Sequence, residues 1–150
     1  MTIEIDTSEV TAELNRLSQR AQDMRAVFNK IGVLLVGEAQ QTLGRGLDAW
    51  GNPLKPLKAT RGRRAGGIPL NDTRTHIYSR ISRMATADSL KIGLLDDAAN
   101  GIGRIHQFGT RHIPPRPFLP IRNGKVDLPP SWNEIIIDSI QEHFQSQYTQ

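Results

Sequence analysis

The first part of the chain carries one long stripe of apolar residues at helical spacing. Side chains at residues 6–8 can cap a helix N-terminus. The apolar residues that follow recur at alternating steps of four and three positions: Val10, Leu14, Leu17, Ala21, Met24, Phe28, Ile31 and Leu35. The spacing predicts one helix from about residue 8 to about residue 43, loosened near Gly32 and Gly37. A coiled coil fits the same pattern. A helix packed on a sheet is favoured, because the rest of the chain needs a partner for its apolar face.

The next stretch, from about residue 44 to residue 70, has little periodicity and recurring glycines and prolines, which prevent regular elements. It is basic, with Asp48 as its lone acidic residue among Arg45, Lys55, Lys58, Arg61, Arg63 and Arg64. Loops of this length within a compact domain are mostly functional or disordered. We expect a flexible loop that becomes ordered in an assembly.

Alternating apolar positions then predict β-structure. Residues 76–81 and 90–94 carry apolar side chains at roughly every second position, and residues 86–89 form a plausible turn between them. An antiparallel hairpin is therefore expected. Residues 97–103 are predicted to be a loop or a short helical turn, and residues 105–108 to begin another strand.

The C-terminal part begins with prolines at 114, 115, 117 and 120, which keep the chain extended. Residues 131–134 (SWNE) match a capping box that opens a final helix. Its expected apolar side consists of Trp132, Ile136, Ile140 and Phe144. Together these elements predict a single α+β domain over residues 1–150. A long N-terminal helix and a C-terminal helix pack on a small antiparallel sheet, with a long basic loop at about 44–70.

Composition narrows this interpretation. At 150 residues, with 37% hydrophobic and 5% aromatic residues, the chain can form one domain whose modest core rests on Leu, Ile and Val. The absence of cysteine excludes disulfides and thiolate metal sites. The longest apolar stretch, residues 31–36, is too short to cross a bilayer, and no secretory leader is visible at the start. We therefore expect no membrane partner and a protein that stays in the cytoplasm where it is made.

No pattern in the sequence predicts catalysis. The four histidines lack metal-site spacing, although His106 and His112 lie close enough to share a ligand, and a structural role is favoured for both. Neither a nucleophile elbow nor a phosphate-binding glycine loop is present. We therefore predict a protein that is not an enzyme, with no catalytic residues, no cofactor and no metal.

The positive charge leaves two interpretations open. The formal net charge of +4 is mild and is explained most simply by solubility. The cluster of Arg61, Arg63 and Arg64, with Lys55 and Lys58 before it, also suits sequence-independent contact with phosphates. The alternative is a solvated loop that meets acidic patches on neighbouring subunits. A nucleic-acid-binding module is thus the second functional hypothesis.

Two later segments resemble a known family. Residues 105–110 read IHQFGT and residues 113–119 read IPPRPFL. Together they resemble the phage virion morphogenesis (tail completion) family, which includes the G protein of Mu-like phages. Residues 50–60 (WGNPLKPLKAT) resemble that family's upstream W-x-P-L-x-x-x-T element, with extra residues after Trp50. The resemblance covers about residues 10–145. Residues 70–76 depart from the family pattern, and Pro115 replaces the usual alanine.

The resemblance implies a late structural protein that completes the tail or the head–tail (neck) junction, commonly as a ring of subunits. The implied partners are other copies of the chain and neighbouring tail, neck or connector proteins, first in the host cytoplasm and finally in the virion. In this hypothesis the proline-rich arm contacts an adjacent subunit. The basic loop faces the ring lumen, where it could touch packaged DNA, or a neighbouring ring.

Physical reasoning on the motif residues fits that role. Gly109 can adopt a positive φ and so allow a sharp exit after Phe108. Prolines stiffen the arm, Phe118 and Leu119 can anchor it in a pocket, and Arg116 can bind a carboxylate. The predicted subunit interface comprises His106, Gln107, Phe108, Gly109, Arg116, Pro117, Phe118 and Leu119. Burial of Phe108, Phe118 and Leu119 within their own subunit is the equally weighted alternative.

Overall fold

A computed structural model describes residues 2–4, 6, 8–58, 66–70 and 77–146. The predicted α+β class is confirmed, although the described strands form two separate antiparallel pairs instead of one sheet. The elements in chain order are α1 (Ser8–Gln22), α2 (Arg25–Gly44), α3 (Ile77–Arg80), β1 (Ile81–Ala85), β2 (Leu90–Leu94), α4 (Asp97–Phe108), β3 (Ile121–Arg122), β4 (Lys125–Val126) and α5 (Pro130–Gln145).

Helix α2 forms the centre of the core. It packs against the β1–β2 hairpin and against α5. Its buried apolar side chains recur at helical spacing and remove a continuous stripe from water, which is the main stabilising term for such a helix. These side chains are Val27, Ile31, Leu35, Ala39 and Leu43, and the core is completed by Leu54, Leu70, Ile77, Ile81, Leu94, Ala99, Phe118 and Trp132.

The prediction of one continuous N-terminal helix is wrong, because the helix breaks at Asp23 and Met24. The backbone N–H of Met24 donates to the carbonyl of Ala87 in the hairpin turn, at 2.9 Å. The Asp23 carboxylate accepts from the N–H of Arg25, the first residue of α2, at 3.0 Å, whereas the N-cap residue Met24 makes no side-chain capping hydrogen bond. By contrast, α2 continues through Gly32, where an added Cβ would lie 2.5 Å from the Cδ of Arg83. That glycine therefore allows close contact with β1 and does not loosen the helix.

The predicted hairpin is confirmed, with Ile81 opposite Leu94. In its turn, the N–H of Thr86 donates to the carbonyl of Ser89 at 2.8 Å. The predicted position of the first strand at 76–81 is wrong, because residues 77–80 form the short helix α3 and the strand covers Ile81–Ala85. Ile77 and Ile81 are both buried, and a spacing of four suits a helical turn as well as a strand. Residue 76 lies outside the described residues.

The predicted strand at 105–108 is wrong, and the loop or short helical turn predicted at 97–103 is the first part of a longer helix, because α4 covers both segments. The Asp96 carboxylate caps this helix by accepting from the N–H of Ala99 at 2.7 Å. An added Cβ on Gly103 would lie 2.3 Å from the Cδ1 of Leu94. Glycine, a poor helix former, is thus needed for contact with β2, and its low propensity concealed the helix.

The final helix, α5, is confirmed, but the predicted capping box is not. Its N-cap is Pro129, and within the described chain no side chain accepts a capping hydrogen bond there. Proline at the first helical position supplies a preset φ instead. Trp132 is buried, and Ile136 and Ile140 pack against the core as predicted. In the part of the chain that the structure describes, no helix is both long and apolar enough to cross a membrane.

Candidate functional site

The predicted interface residues lie at the end of α4 and in the segment that follows it. His106, Gln107 and Phe108 form the last turn of α4, and Gly109 is its C-cap. The segment then folds back, so that the N–H of Arg116 donates to the carbonyl of His106 at 2.7 Å. The proline-rich arm therefore lies against its own helix.

Gly109 makes this reversal sterically feasible. Its φ is +75°, as predicted, and its N–H donates to the carbonyl of Ile105 at 2.8 Å. An added Cβ would lie 2.8 Å from the backbone nitrogen of Pro115 and 2.9 Å from the carbonyl oxygen of Ile113. Because both are backbone atoms, a larger residue could not be accommodated by side-chain rotation.

Gln107 holds the returning segment with its side-chain amide. Its Oε1 accepts from the N–H groups of Phe118 and Leu119, each at 3.0 Å. Its Nε2 donates to the carbonyls of Leu119 and Ile121, at 2.9 and 3.3 Å. The buried amide thus replaces a strand partner for residues 118–121, satisfying backbone groups that would otherwise lack hydrogen bonds.

Arg116 connects two of the motif segments. The side chain is 6% exposed. Its Nε donates to the carbonyl of Lys55 at 2.7 Å and its Nη2 donates to the carbonyl of Pro56 at 2.9 Å. The sequence predicted a carboxylate partner, whereas these partners are backbone oxygens of the 50–60 segment. Burial lowers the pKa of the guanidinium, which stays charged at neutral pH.

His106 lies beside this arginine. Burial lowers the pKa of the imidazole, and the positive charge of Arg116 lowers it further. Its Nδ1 is buried and has no hydrogen-bond partner among the described residues. Within that same part of the chain no cluster of three or more histidine, aspartate or glutamate side chains could hold a metal ion.

The upstream motif segment is also tied to the C-terminal part of the chain. The indole Nε1 of Trp50 donates to the carbonyl of Asp127 at 2.9 Å. The guanidinium of Arg122 lies 4.1 Å from the indole centroid, a cation–π contact. The N–H of Ala49 donates to the carbonyl of Pro117 at 3.3 Å. Residues 50–58 and 113–119, far apart in sequence, therefore form one structural unit with the β3–β4 hairpin.

Asp48 organises this unit, a role that was not predicted from the sequence. The Asp48 carboxylate accepts from the N–H groups of Trp50 and Asn52, at 2.9 and 2.8 Å. An aspartate that accepts from the N–H two residues later is typical of an Asx turn, so a local signal was available. The exposed Lys55 and Lys58 follow this turn, whereas Arg61, Arg63 and Arg64 lie outside the described residues.

The outer face of α4 carries large apolar side chains that sequence reasoning largely missed. Ile102, Ile105 and Phe108 are 42%, 41% and 52% exposed. Of these only Phe108 was a predicted interface residue, because the segment was interpreted as a loop and a strand, and the helical stripe was therefore not recognised. Phe118, in contrast, is 4% exposed within its own core.

Comparison with known families decides what kind of protein carries this unit. The model of the phage virion morphogenesis family matches residues 5–145. The chain belongs to the phage virion morphogenesis family. The predicted family is thereby confirmed, and with it a structural role in phage assembly and association with virion proteins. Neither the curated proteins nor the solved structures contain a match.

In this virion morphogenesis protein the motif residues divide into two groups. Gln107, Arg116 and Phe118 are buried and engaged within their own subunit. Phe108 is exposed and can meet another molecule. The segment that carries the family resemblance therefore builds the subunit on its inner side and presents an apolar helix face on its outer side.

Proposed function

We propose that this virion morphogenesis protein completes the tail or the head–tail (neck) junction of a tailed phage as a homo-oligomeric ring. It acts by surface complementarity with its own copies and with neighbouring tail, neck or connector proteins. The observation that carries the proposal is the outward apolar face of α4, formed by Ile102, Ile105 and Phe108. Contiguous exposed apolar surface of this kind marks sites of interaction between proteins.

A deletion tests the assembly role directly. The gene is removed from the phage or prophage, and particles are counted by electron microscopy with and without a plasmid copy. We expect separate heads and tails, or unfinished tails, in the deletion strain, and joined particles when the wild-type copy is supplied. Normal infectious particles that contain none of the protein would refute the role.

The proposed mechanism involves no substrate turnover, metal or cofactor. Among the described histidines, His106 is the one to test, because burial lowers the pKa of its imidazole and its Nδ1, like the Nε2 of His143, is buried without a hydrogen-bond partner in that part of the chain. Purified protein is incubated with divalent metal ions and with DNA or generic ester substrates. We expect no turnover. A metal-dependent activity that is lost in His106→Ala would overturn this part of the proposal.

Nucleic-acid binding is the second candidate function. Lys55 and Lys58 are exposed and precede the arginines at 61, 63 and 64, in a chain of net charge +4. If this segment contacts DNA, replacing the three arginines by alanine should lower the slope of log Kobs against log salt by about 1 for each lost phosphate contact. Lys125→Ala, on the exposed strand β4, is the matched control.

A further inference from the structure

Helix α1 presents an apolar stripe to solvent. Val10 and Leu14 are each 61% exposed, and no residue of α1, all of which the structure describes, is buried. Leu17 is half-buried and Ala21 is exposed, so the stripe continues along the helix. An amphipathic helix in water gains its stability from burying such a stripe, and within its own subunit α1 does not do so.

The outer face of α4 is a second stripe of the same kind. It consists of Ala98, Ile102, Ile105 and Phe108, all exposed. On α4 these side chains follow one another at steps of four, three and three residues. On α1 the steps between Val10, Leu14, Leu17 and Ala21 are four, three and four. The spacings of the two stripes therefore differ in only one step, and an alanine lies at one end of each stripe.

We propose that α1 of one subunit packs antiparallel on the outer face of α4 of the next copy. Leu14 then lies opposite Ile105 and Leu17 opposite Ile102 of the neighbour, while Val10 lies near Phe108 at one end. This rests on the proposed oligomer and names the surfaces that join its subunits. Each subunit gives one helix and receives another, a heterologous contact that closes into a ring when the rotation permits.

Charge complementarity sets the direction of the contact. The start of α1 is acidic, with the exposed Asp6 and Glu9, and the C-terminal half of α4 and the segment after it are basic, with the exposed Arg104 in the helix and Arg111 beyond it. Antiparallel packing brings these groups together and aligns opposite ends of the two helix dipoles. Parallel packing would bring the acidic residues to Asp97 at the start of α4, where like charges repel.

The C-terminal end of α1 is held in place by its own subunit. This limits the conformational entropy that α1 loses when it binds the neighbouring copy. The Nη1 of Arg20 donates to the carbonyls of His143 and Phe144 at the end of α5, at 2.9 and 3.1 Å. The helix therefore extends from a fixed point on its subunit. A preorganised helix loses less conformational freedom on binding than a free one.

Mixing two interface variants tests the proposal. Leu14→Asp disables the donated helix, and Ile105→Asp disables the receiving face. By size-exclusion chromatography with light scattering, wild type should be oligomeric and each variant alone monomeric. In a mixture of the two variants, the intact α1 of Ile105→Asp can still bind the intact α4 face of Leu14→Asp. The other two surfaces of this pair are disabled, so the mixture should give dimers and nothing larger. Ile137→Asp, at an exposed apolar position of α5 off both stripes, should keep the wild-type mass.

Circular dichroism establishes that the variants fold, which is expected because both side chains are exposed. Three outcomes would overturn the proposal. Wild type could remain monomeric at sub-millimolar concentration. The two variants could stay monomeric when mixed. Ile105→Asp could assemble like wild type. In that case α1 would bind elsewhere, for example in the apolar cleft of ≈ 590 Å³ that is lined in part by Phe28, Leu90 and Trp132.

Cross-linking checks the register. Since the chain has no cysteine, Leu14→Cys with Ile105→Cys introduces the sole thiols. Oxidation should give a ladder of linked subunits on a non-reducing gel, whereas Leu14→Cys with Ala98→Cys, placed at a mismatched register, should not. An equal ladder from both pairs would refute the register.

The phage experiment separates this contact from the assembly role. If deletion of the gene blocks particle formation but a Leu14→Asp copy restores it fully, the assembly role stands and the α1–α4 contact is wrong. If deletion has no effect, the assembly role is wrong whatever the mixing experiment shows.

Discussion

Helices α2 and α4 both carry an apolar stripe, but the stripe of α2 faces the core and that of α4 faces solvent. In α2 one apolar stripe is buried, and Ile31 on it is 2% exposed, whereas Val33 and Leu34 outside that stripe are 48% and 43% exposed. In α4 the buried face consists of Ala99, Gly103 and Gln107, while Ile105 on the outer face is 41% exposed. Helix α2 is held by burial of apolar surface, whereas α4 is held by close packing of small residues and by the hydrogen bonds of an amide.

The difference shows that helical periodicity identifies an apolar face but not the side of the molecule on which it lies. In α4 the direction is set by the neighbours, because Gly103 lets β2 approach and Gln107 binds the returning segment. An apolar face left outside in this way is available to another molecule.

The largest expected effect comes from replacing the same residue type on the two helices. Ile31→Ala should lower the free energy of unfolding by about 2–5 kcal/mol, since it removes buried methyl groups and leaves a cavity. Ile105→Ala should change it by no more than about 0.5 kcal/mol. Urea denaturation of the monomeric protein measures both. Equal losses in the two variants would contradict the distinction between the helices.

The next effect tests the polar inner face of α4. Gln107→Leu introduces an apolar side chain of similar size and leaves the backbone groups of residues 118, 119 and 121 without their partner. We expect a loss of about 2–4 kcal/mol, because the unsatisfied buried N–H of Phe118 costs about 1–3 kcal/mol and the part-buried groups of residues 119 and 121, which water can reach, cost less. Gln141→Leu, at an exposed position of α5, serves as the control in the same denaturation experiment and should be near neutral.

A smaller loss is expected for Arg116→Met. The change removes two charge-assisted hydrogen bonds to Lys55 and Pro56 but also relieves the burial of a charge, so we expect about 1–3 kcal/mol. Arg111→Met, on the exposed part of the same segment, is the control. If the two substitutions have the same effect in urea denaturation, Arg116 does not join the two motif segments energetically.

The smallest effect is a pH dependence at the end of α4. The pKa of His106 is lowered in the folded protein, so on acidification the unfolded chain takes up the proton first. This contribution to the free energy of unfolding is fully present above the unfolded pKa of 6.5. It is lost as the pH falls through the lower pKa of His106 in the folded protein. Urea midpoints between about pH 7.5 and pH 5 should fall less for His106→Gln than for wild type. His112→Gln, an exposed control, should follow the wild-type curve.

Local sequence signals predicted those parts of the structure that depend on local interactions. The burial of Ile31 and Leu35 in α2, the turn at residues 86–89 and the positive φ of Gly109 all follow from spacing and residue type. The motif segments predicted the family from the sequence alone.

The rest depends on contacts between distant segments. The break between α1 and α2 follows from a hydrogen bond between Met24 and Ala87, which no neighbour of Met24 encodes. Helix α4 was missed because Gly101 and Gly103 lower its propensity, while the reason for Gly103 lies in Leu94. The partners of Arg116 are backbone carbonyls, and these have no sequence signature.

Those carbonyl partners leave room for divergence. Every amino acid offers the same main-chain oxygen at positions 55 and 56, so Arg116 imposes no demand on the side chains there. The lysines at 55 and 58 are exposed and can be exchanged for neutral or acidic residues while the anchoring interaction survives. Related phages can therefore change the surface charge of this segment to suit different neighbouring proteins while the fold stays the same.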